Sequence, residues 1–141
     1  MKVKLNKSFI TNFSRPYIIA ELSGNHGGSL NRALLLVKKA KEAGADAIKL
    51  QTFKPDSITL NSKKKDFKIN DSKSLWRNSY LYQLYTKAQT PWAWHEKIFK
   101  YAKKINIDFF SSAFDEEAVD FLESLNVRFY KISSFENNHY P

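Results

Sequence analysis

The sequence predicts an α/β fold, a (β/α)8 barrel of which this chain supplies about the first four β/α units. Strand-like and helix-like segments alternate along the chain, as in a parallel sheet with right-handed crossover helices. Polar residues gather where each predicted strand ends, which is typical of the active face of a β/α barrel. Because eight such units take about 250 residues, the 141 residues predict a truncated barrel.

The composition limits the class of protein. The chain is 43% hydrophobic and 15% aromatic, which is enough for one domain with its own core. It has no cysteine, so disulfides and thiolate metal sites are excluded. No segment approaches the roughly 18 apolar residues of a membrane span, and the N-terminus lacks an apolar signal core. We therefore expect a cytoplasmic protein with no membrane association.

The formal net charge of +9 is unevenly distributed. Residues 1–104 contain 21 Lys and Arg against 7 Asp and Glu, whereas residues 105–141 contain 2 against 7. Many lysines fall in the last turns of predicted helices, where they complement the helix dipole. This distribution does not favour a nucleic-acid partner, and a local positive excess would equally serve an anionic small substrate.

The first two β/α units are clear from the pattern. Residues 17–22 predict the first strand, and 29–44 predict a helix with Ser29 as N-cap and Gly44 just past its end. Its inner face repeats at helical spacing and comprises Leu30, Ala33, Leu34, Val37 and Ala40. Residues 46–53 predict the second strand.

A polar segment, residues 54–74, predicts a surface excursion, and the aromatic segment 74–89 is expected to be partly helical. Residues 90–107 predict a clearer helix, with Thr90 as cap and Pro91 at the first helical position. Its inner face is expected to contain Trp94, Ile98, Tyr101 and Ile105.

The last two units follow the same pattern. Residues 107–114 predict the third strand and 127–135 the fourth. Between them, residues 115–125 predict a helix capped by Asp115. The N–H groups at the start of this helix could face an anion, although the acidic residues there would repel a phosphate placed too close.

Each predicted strand ends in polar residues that a purely structural strand would not need. They are Glu21 and the loop SGNHGG, then Lys49 and Gln51, then Ser111 and Ser112, then Lys131, Ser133, Ser134 and Glu136. Residues two apart on a strand share a face, and the strand ends of a barrel meet at one mouth. Ammonium, hydroxyl and amide groups that converge there fit a ligand with phosphate and carboxylate groups.

Glu21 and Glu136 are the candidate catalytic residues, because a carboxylate beside a bound anion can orient a hydroxyl or move a proton. The first loop adds Asn25 and His26 as substrate-binding candidates, and His26 can equally shape the loop. His95 is more simply a satisfied or exposed helical histidine, and His139 is not assigned. The three histidines lack the local spacing of a metal site.

Three separated motifs occur in a recognisable order: IAELSGNHGGSLNRALLLVKKAKEAGADAIKLQTFKPD, FFSSAFDEEAVDFLESLNV and YKISSFE. From about Arg15 to Glu136 the chain resembles the N-terminal half of the sialic acid (N-acylneuraminate) synthase family. The segment SLWRNSYLYQLYTKAQTPWAWHEKIF is most similar to its pseudaminic acid synthase branch. In SSAF, Ala113 stands where the family usually has proline, which predicts a looser turn beneath Ser112.

The resemblance implies a reaction and roles for these residues. Phosphoenolpyruvate would condense with an N-acylated amino sugar, 2,4-diacetamido-2,4,6-trideoxy-altrose, to give pseudaminic acid and phosphate. Glu21 and Glu136 would contact the sugar and manage protons. The phosphate and carboxylate of phosphoenolpyruvate would be bound by Lys49, Gln51, Ser112, Lys131 and Ser134.

The resemblance also implies parts that residues 1–141 do not contain. A divalent metal, manganese or magnesium, would be bound by histidines later in the barrel, so this chain is expected to hold no metal. A C-terminal antifreeze-like domain would reach over the active site of the partner in a domain-swapped homodimer. We expect the isolated chain to be inactive.

Other functions stay open from the sequence. The sugar could be that of the N-acetylneuraminate or legionaminate synthases. Lys49 or Lys131 could form a Schiff base in an aldolase-type barrel enzyme. The chain could also be a non-catalytic remnant, or a basic nucleic-acid binder whose affinity falls steeply with salt.

Overall fold

The computed structural model describes residues 2–5, 8–134 and 136–138. Short 3-10 turns lie at Lys65–Phe67 and Glu136–Asn138. The strands and α-helices, in chain order, are β1 (Lys2–Leu5), β2 (Ser8–Thr11), β3 (Ile19–Glu21), α1 (Leu30–Glu42), β4 (Ala47–Thr52), α2 (Pro55–Ile58), α3 (Leu81–Ala88), α4 (Trp92–Lys104), β5 (Asp108–Ala113), α5 (Glu116–Ser124) and β6 (Tyr130–Lys131).

Four of these strands form one parallel sheet in the order β3-β4-β5-β6. The order follows the chain, and α1, α4 and α5 each lie in a connection between neighbouring strands. This is the β/α alternation that the sequence predicts. A parallel sheet in sequential order brings the carboxyl ends of all four strands to one edge.

The sheet has one apolar and one partly polar face. Ile48 and Leu50 of β4 point to the apolar face, which packs against the helices through Val37, Ile98 and Leu122. Burying each of these side chains stabilises the fold by roughly 1.5–3 kcal/mol. On β4, Lys49 and Gln51 lie on the opposite face, together with Phe110 of β5. The helix-facing side becomes polar at Thr52 and Ser111, near the strand ends.

Most predicted helix ends are confirmed. The Ser29 hydroxyl accepts the Arg32 N–H at 3.3 Å, and the Asp115 carboxylate accepts the Ala118 N–H at 2.6 Å. Gly44 follows the last turn of α1 with a φ of +88°, a conformation that glycine adopts without strain. Each cap satisfies a backbone group that the helix leaves unpaired.

The start of α4 differs from the prediction. Pro91 has extended backbone, φ −53° and ψ 130°, and occupies the N-cap position that was assigned to Thr90. The helix therefore begins at Trp92, and the Pro91 carbonyl accepts the Trp94 N–H at 2.9 Å. Thr90 is buried and belongs to the preceding connection.

The two ends of the described chain also differ from expectation. The antiparallel pair of β1 and β2 was not predicted, although the alternation of lysines with Val3 and Leu5 in β1 is typical of a strand. The fourth strand was predicted over 127–135, but pairing with β5 is limited to Tyr130 and Lys131. Phe135 and His139 lie outside the described residues.

The connection from β4 to α4, which we call the excursion from here on, contains more structure than the polarity of residues 54–74 suggests. It includes the short helix α2, an isolated bridge between Lys68 and Tyr80, and α3, which covers only the second half of the aromatic segment. Helices α2 and α3 contact each other. No helix in the described part of the chain is long and apolar enough to cross a membrane.

Candidate functional site

Gln51, Ser112 and Lys131 form a row across three adjacent strands. Gln51 is paired in register with Ser112, and Ser112 with Lys131. Neighbouring strands lie about 4.8 Å apart, and paired residues of a parallel sheet share a face. The structure thus places an amide, a hydroxyl and an ammonium group side by side near the carboxyl ends of the strands, and we call these residues the ligand-facing row.

Glu21 and Lys49 form an ion pair next to this row. The two residues are paired in register on β3 and β4, and Lys49 precedes Gln51 by two residues on the same face. The Lys49 side chain is 13% exposed and the Glu21 side chain 39%. A carboxylate therefore neutralises the less accessible of the two strand-end lysines.

A groove of about 1400 Å³ opens at this end of the sheet. Six of the nine predicted site residues line it: Asn25, His26, Gln51, Lys131, Ser134 and Glu136. Glu21, Lys49 and Ser112 do not line it. Ser112 is buried between two groove residues in the ligand-facing row, and the ion pair lies deeper on the same sheet face.

Three buried polar atoms have no hydrogen-bond partner among the described residues: His26 Nε2, Ser112 Oγ and Glu136 Oε2. A buried polar group without a partner costs about 1–3 kcal/mol. All three atoms belong to residues that the sequence assigns to the site. Such groups call for a functional explanation, and a polar ligand in the groove would supply the missing partners.

His26 shapes the first loop. Its ring is fully buried, its Nδ1 accepts the Gly28 N–H at 3.1 Å, and its edge meets the Trp94 ring at 5.4 Å between centroids. Burial lowers the pKa of His26, and the carbonyls of Ala88 and Gln89 oppose this shift. Because Nδ1 accepts a hydrogen bond, the neutral ring carries its proton on Nε2, and a ligand oxygen would compete with the Ala88 and Gln89 carbonyls for that proton.

The same loop packs closely on the end of α3. A Cβ added to Gly24 would lie 3.2 Å from Cα and Cβ of Ala88, closer than most side-chain contacts allow. A side chain here would push Ala88 away by a few tenths of an ångström, so glycine permits the close approach. The contact joins the first β/α loop to the excursion and fixes one side of the groove.

The excursion supplies an apolar wall that sequence reasoning missed. Ile58, Leu84 and Tyr85 line the groove, although residues 54–74 were expected to be a surface excursion and residues 74–89 were given no part in the site. The available signal was the spacing of Leu81, Leu84, Tyr85 and Ala88, which places them on one face of a helix. The groove thus has a polar floor and an apolar side.

The N-terminus of α5 is less available to an anion than the sequence suggests. The Asp115 carboxylate accepts one of its N–H groups and brings negative charge to this end of the helix. Nearby, Lys54 pairs with Glu117 at 2.5 Å. The Lys54 ammonium group would have to give up Glu117 before it could bind a phosphate.

The described residues contain no group of three or more His, Cys, Asp or Glu side chains placed to hold a metal ion. Glu21 is paired with a lysine, and His26 and His95 are both buried. The donors present in residues 2–5, 8–134 and 136–138 do not fit a metal site.

Comparison with known proteins gives a family match. The sequence profile of the NeuB family matches residues 36–141. The chain is 54% identical to the pseudaminic acid synthase of Campylobacter jejuni over 122 residues, 86% of this chain and 35% of that protein. It is 37% identical to the N,N'-diacetyllegionaminic acid synthase of Legionella pneumophila over 126 residues, 89% of this chain and 35% of that protein. The chain therefore spans about a third of the length of these relatives.

A solved structure supports the fold. The sialic acid synthetase of Leptospira borgpetersenii superposes with a TM-score of 0.77 at 26% identity, covering 96% of this chain and 42% of that chain. The parallel sheet and its crossover helices are thus the first part of a sialic acid synthase-type (β/α)8 barrel, as the sequence predicts.

Proposed function

The chain belongs to the NeuB family, and from that premise we propose that it forms the N-terminal, phosphoenolpyruvate-binding part of a pseudaminic acid synthase. The reaction would condense phosphoenolpyruvate with 2,4-diacetamido-2,4,6-trideoxy-altrose to give pseudaminic acid and phosphate. The observation that carries the proposal is the ligand-facing row, Gln51, Ser112 and Lys131, beside the ion pair of Glu21 and Lys49.

The row offers the donors that phosphoenolpyruvate requires. Lys131 brings a positive charge, which binds phosphate or carboxylate more strongly than a neutral donor does. Ser112 Oγ has no partner in the described structure, so binding an oxygen there would break no existing hydrogen bond. Ser134 also lines the groove and would add a second hydroxyl. Lys49, two residues before Gln51 on β4, would contribute positive charge that its ion pair with Glu21 partly neutralises.

Glu136 and Glu21 would have different tasks. Glu136 lines the groove and has one buried oxygen without a partner, so it would hold a water or a sugar hydroxyl and accept its proton. Glu21 is held by Lys49 and would contact the sugar while limiting the charge of that lysine. This division refines the common role that the sequence suggested for both.

The sugar assignment rests on sequence similarity and on the apolar wall. Identity is 54% to the Campylobacter jejuni pseudaminic acid synthase and 37% to the Legionella pneumophila legionaminic acid synthase. Two acetamido methyls and a deoxy C6 methyl make a diacetamido trideoxy sugar more apolar than N-acetylmannosamine. Ile58, Leu84 and Tyr85 in the groove would pack against such methyl groups. The wall therefore favours this class of sugar, and the choice of the altrose isomer rests on the sequence identities.

No step of the reaction is assigned to a metal on this chain. A divalent ion that polarises the sugar aldehyde, and a domain-swapped homodimer whose antifreeze-like domain covers the groove, are proposed for the longer enzyme on the resemblance alone. The cytoplasmic location likewise stays a prediction from composition.

Phosphate release tests the proposal. The natural protein that carries this chain would be supplied with phosphoenolpyruvate, manganese and either the diacetamido altrose sugar or N-acetylmannosamine. Release with the altrose sugar, abolished by Lys131→Ala, is the expected result. Release with N-acetylmannosamine alone would move the protein to the sialic acid branch, and release with neither sugar would contradict the proposal.

A further inference from the structure

A buried polar chain lies directly behind the ligand-facing row, on the helix side of the sheet. Thr52 Oγ1 lies 2.9 Å from His95 Nε2 and 2.7 Å from Ser111 Oγ. All three side chains are fully buried. We call His95, Thr52 and Ser111 the buried relay.

The partners fix the direction of each hydrogen bond. His95 Nδ1 lies 3.3 Å from the Pro91 carbonyl oxygen, which can only accept, so Nδ1 carries the proton. Burial lowers the pKa of His95 to about 4, so at neutral pH the ring is uncharged and Nε2 is an acceptor. The Thr52 hydroxyl then donates to His95, and the Ser111 hydroxyl donates to Thr52.

The buried relay is joined to the ligand-facing row through the backbone. Thr52 directly follows Gln51 on β4, and Ser111 directly precedes Ser112 on β5. Gln51 and Ser112 point to the opposite face and are paired in register. The single Ser111 hydroxyl proton is shared, because Ser111 Oγ also donates to the Ser112 carbonyl oxygen at 3.3 Å, a longer contact than the 2.7 Å to Thr52 Oγ1. The hydroxyl pair thus links the two strands at the step that carries the row, and His95 links that step to α4.

Stability alone does not explain these polar residues. The other helix-facing positions nearby, Ile48, Leu50 and Phe109, are apolar and buried, and a well-packed apolar set is generally at least as stabilising as a buried polar one. A fully paired polar network adds defined distances and angles. Its place at the strand ends, and not deeper in the sheet, indicates a task connected with the site.

We propose that His95, Thr52 and Ser111 are positioning residues: they hold the ends of β4 and β5 so that Gln51 and Ser112 present their amide and hydroxyl to the anionic ligand at a fixed spacing. The identity of that ligand as phosphoenolpyruvate rests on the proposed function. The positioning itself rests on the contacts above.

A pair of substitutions at Thr52 separates the hydroxyl from the packing. Thr52→Val keeps the shape and removes the hydroxyl, whereas Thr52→Ser keeps the hydroxyl and removes a buried methyl group. Ile98→Val is the matched control, because Ile98 is a fully buried apolar residue of α4 one turn beyond His95. All three changes are expected to lower stability.

The readouts are the affinity of the natural protein that carries this chain for phosphoenolpyruvate by calorimetry and the NMR order parameters of the Gln51 side-chain amide and the Ser112 backbone amide. We expect Thr52→Val to weaken binding by about 10-fold or more and to lower both order parameters. Thr52→Ser and Ile98→Val should bind within about 3-fold of the unmodified chain and keep both order parameters.

The outcomes separate this inference from the proposed function. If the unmodified chain binds phosphoenolpyruvate and Thr52→Val binds equally well, the positioning role is wrong. If no variant binds, phosphoenolpyruvate recognition by this chain is contradicted, and the order parameters alone decide the positioning role. Lower values in Thr52→Val only would support it, and values unchanged in Thr52→Val, or lowered equally in all three variants, would overturn it.

Discussion

Glu21 and Lys49 face each other in register across β3 and β4 and form an ion pair at the inner end of the candidate site. The pair couples a candidate acid/base residue to a candidate anion-binding residue. Any anion that reaches Lys49 must share it with the Glu21 carboxylate, so the charge of one residue sets the availability of the other.

The ion pair predicts a split between binding and turnover. Glu21→Gln removes the carboxylate that competes for Lys49, so the affinity for phosphoenolpyruvate should stay equal or rise a few-fold, while turnover of the natural protein should fall by about 100-fold or more. Calorimetry and phosphate release measure the two effects separately. Weaker phosphoenolpyruvate binding in Glu21→Gln would show that Glu21 does not compete for Lys49.

Lys131 tests the ligand-facing row. Its side chain is exposed, so Lys131→Ala should change the free energy of unfolding by no more than about 0.5 kcal/mol. Phosphoenolpyruvate affinity should fall by about 10-fold to 100-fold, the loss expected for a hydrogen bond to a charged group. Lys104→Ala, in the last turn of α4, is the matched surface control and should bind normally. Equal effects of the two substitutions would point to general electrostatics.

The apolar wall is expected to contact the sugar and not phosphoenolpyruvate. Leu84→Ala should raise the KM for the diacetamido sugar by roughly 10-fold, because about two buried methylene equivalents are lost at about 0.8 kcal/mol each. The KM for phosphoenolpyruvate should change little. Leu75→Ala is the control, since Leu75 is 96% exposed and does not line the groove. A rise in the KM for phosphoenolpyruvate alone would show that the wall contacts phosphoenolpyruvate and not the sugar.

His95 predicts how stability depends on pH. Burial lowers its pKa to about 4 in the folded chain, from 6.5 for a solvent-exposed histidine. The unfolded chain therefore binds more protons than the folded chain between these two pH values. Stability should be full above pH 6.5 and should fall by up to about 3 kcal/mol as the pH approaches 4. The lowered pKa of His26 acts in the same direction.

Urea unfolding at several pH values measures this dependence. His95→Gln, which cannot take up a proton in this range, should reduce the loss between pH 6.5 and 4 relative to the unmodified chain. An unchanged pH dependence in His95→Gln would mean that the buried histidine is not the titrating group.

The sequence predicted the order of strands and helices because each element is short and bounded by its own signals, such as Ser29 before α1 and Asp115 before α5. The strand-end residues could be predicted because the period of a strand assigns each side chain to a face. The register that aligns Gln51, Ser112 and Lys131 could not, since it depends on pairing between segments far apart in the chain.

The features that sequence reasoning missed depend on tertiary contacts. His95 reads as an ordinary helical histidine until Thr52 is placed against it. Leu84 and Tyr85 give no sequence signal for the site until α3 packs beside the first loop and exposes them to the groove. The start of α4 depends on one backbone angle at Pro91, which neighbouring residue types do not determine.

The central claim is that the row at the strand ends binds phosphoenolpyruvate, and an NMR titration of the isotope-labelled natural protein that carries this chain tests it most directly. The account predicts saturable shifts centred on Gln51, Ser112, Lys131 and Ser134, with the phosphorus signal of phosphoenolpyruvate shifting over the same range. Saturable shifts confined to the exposed lysines of the excursion, Lys63, Lys64 and Lys65, or no shifts at millimolar ligand, would contradict it.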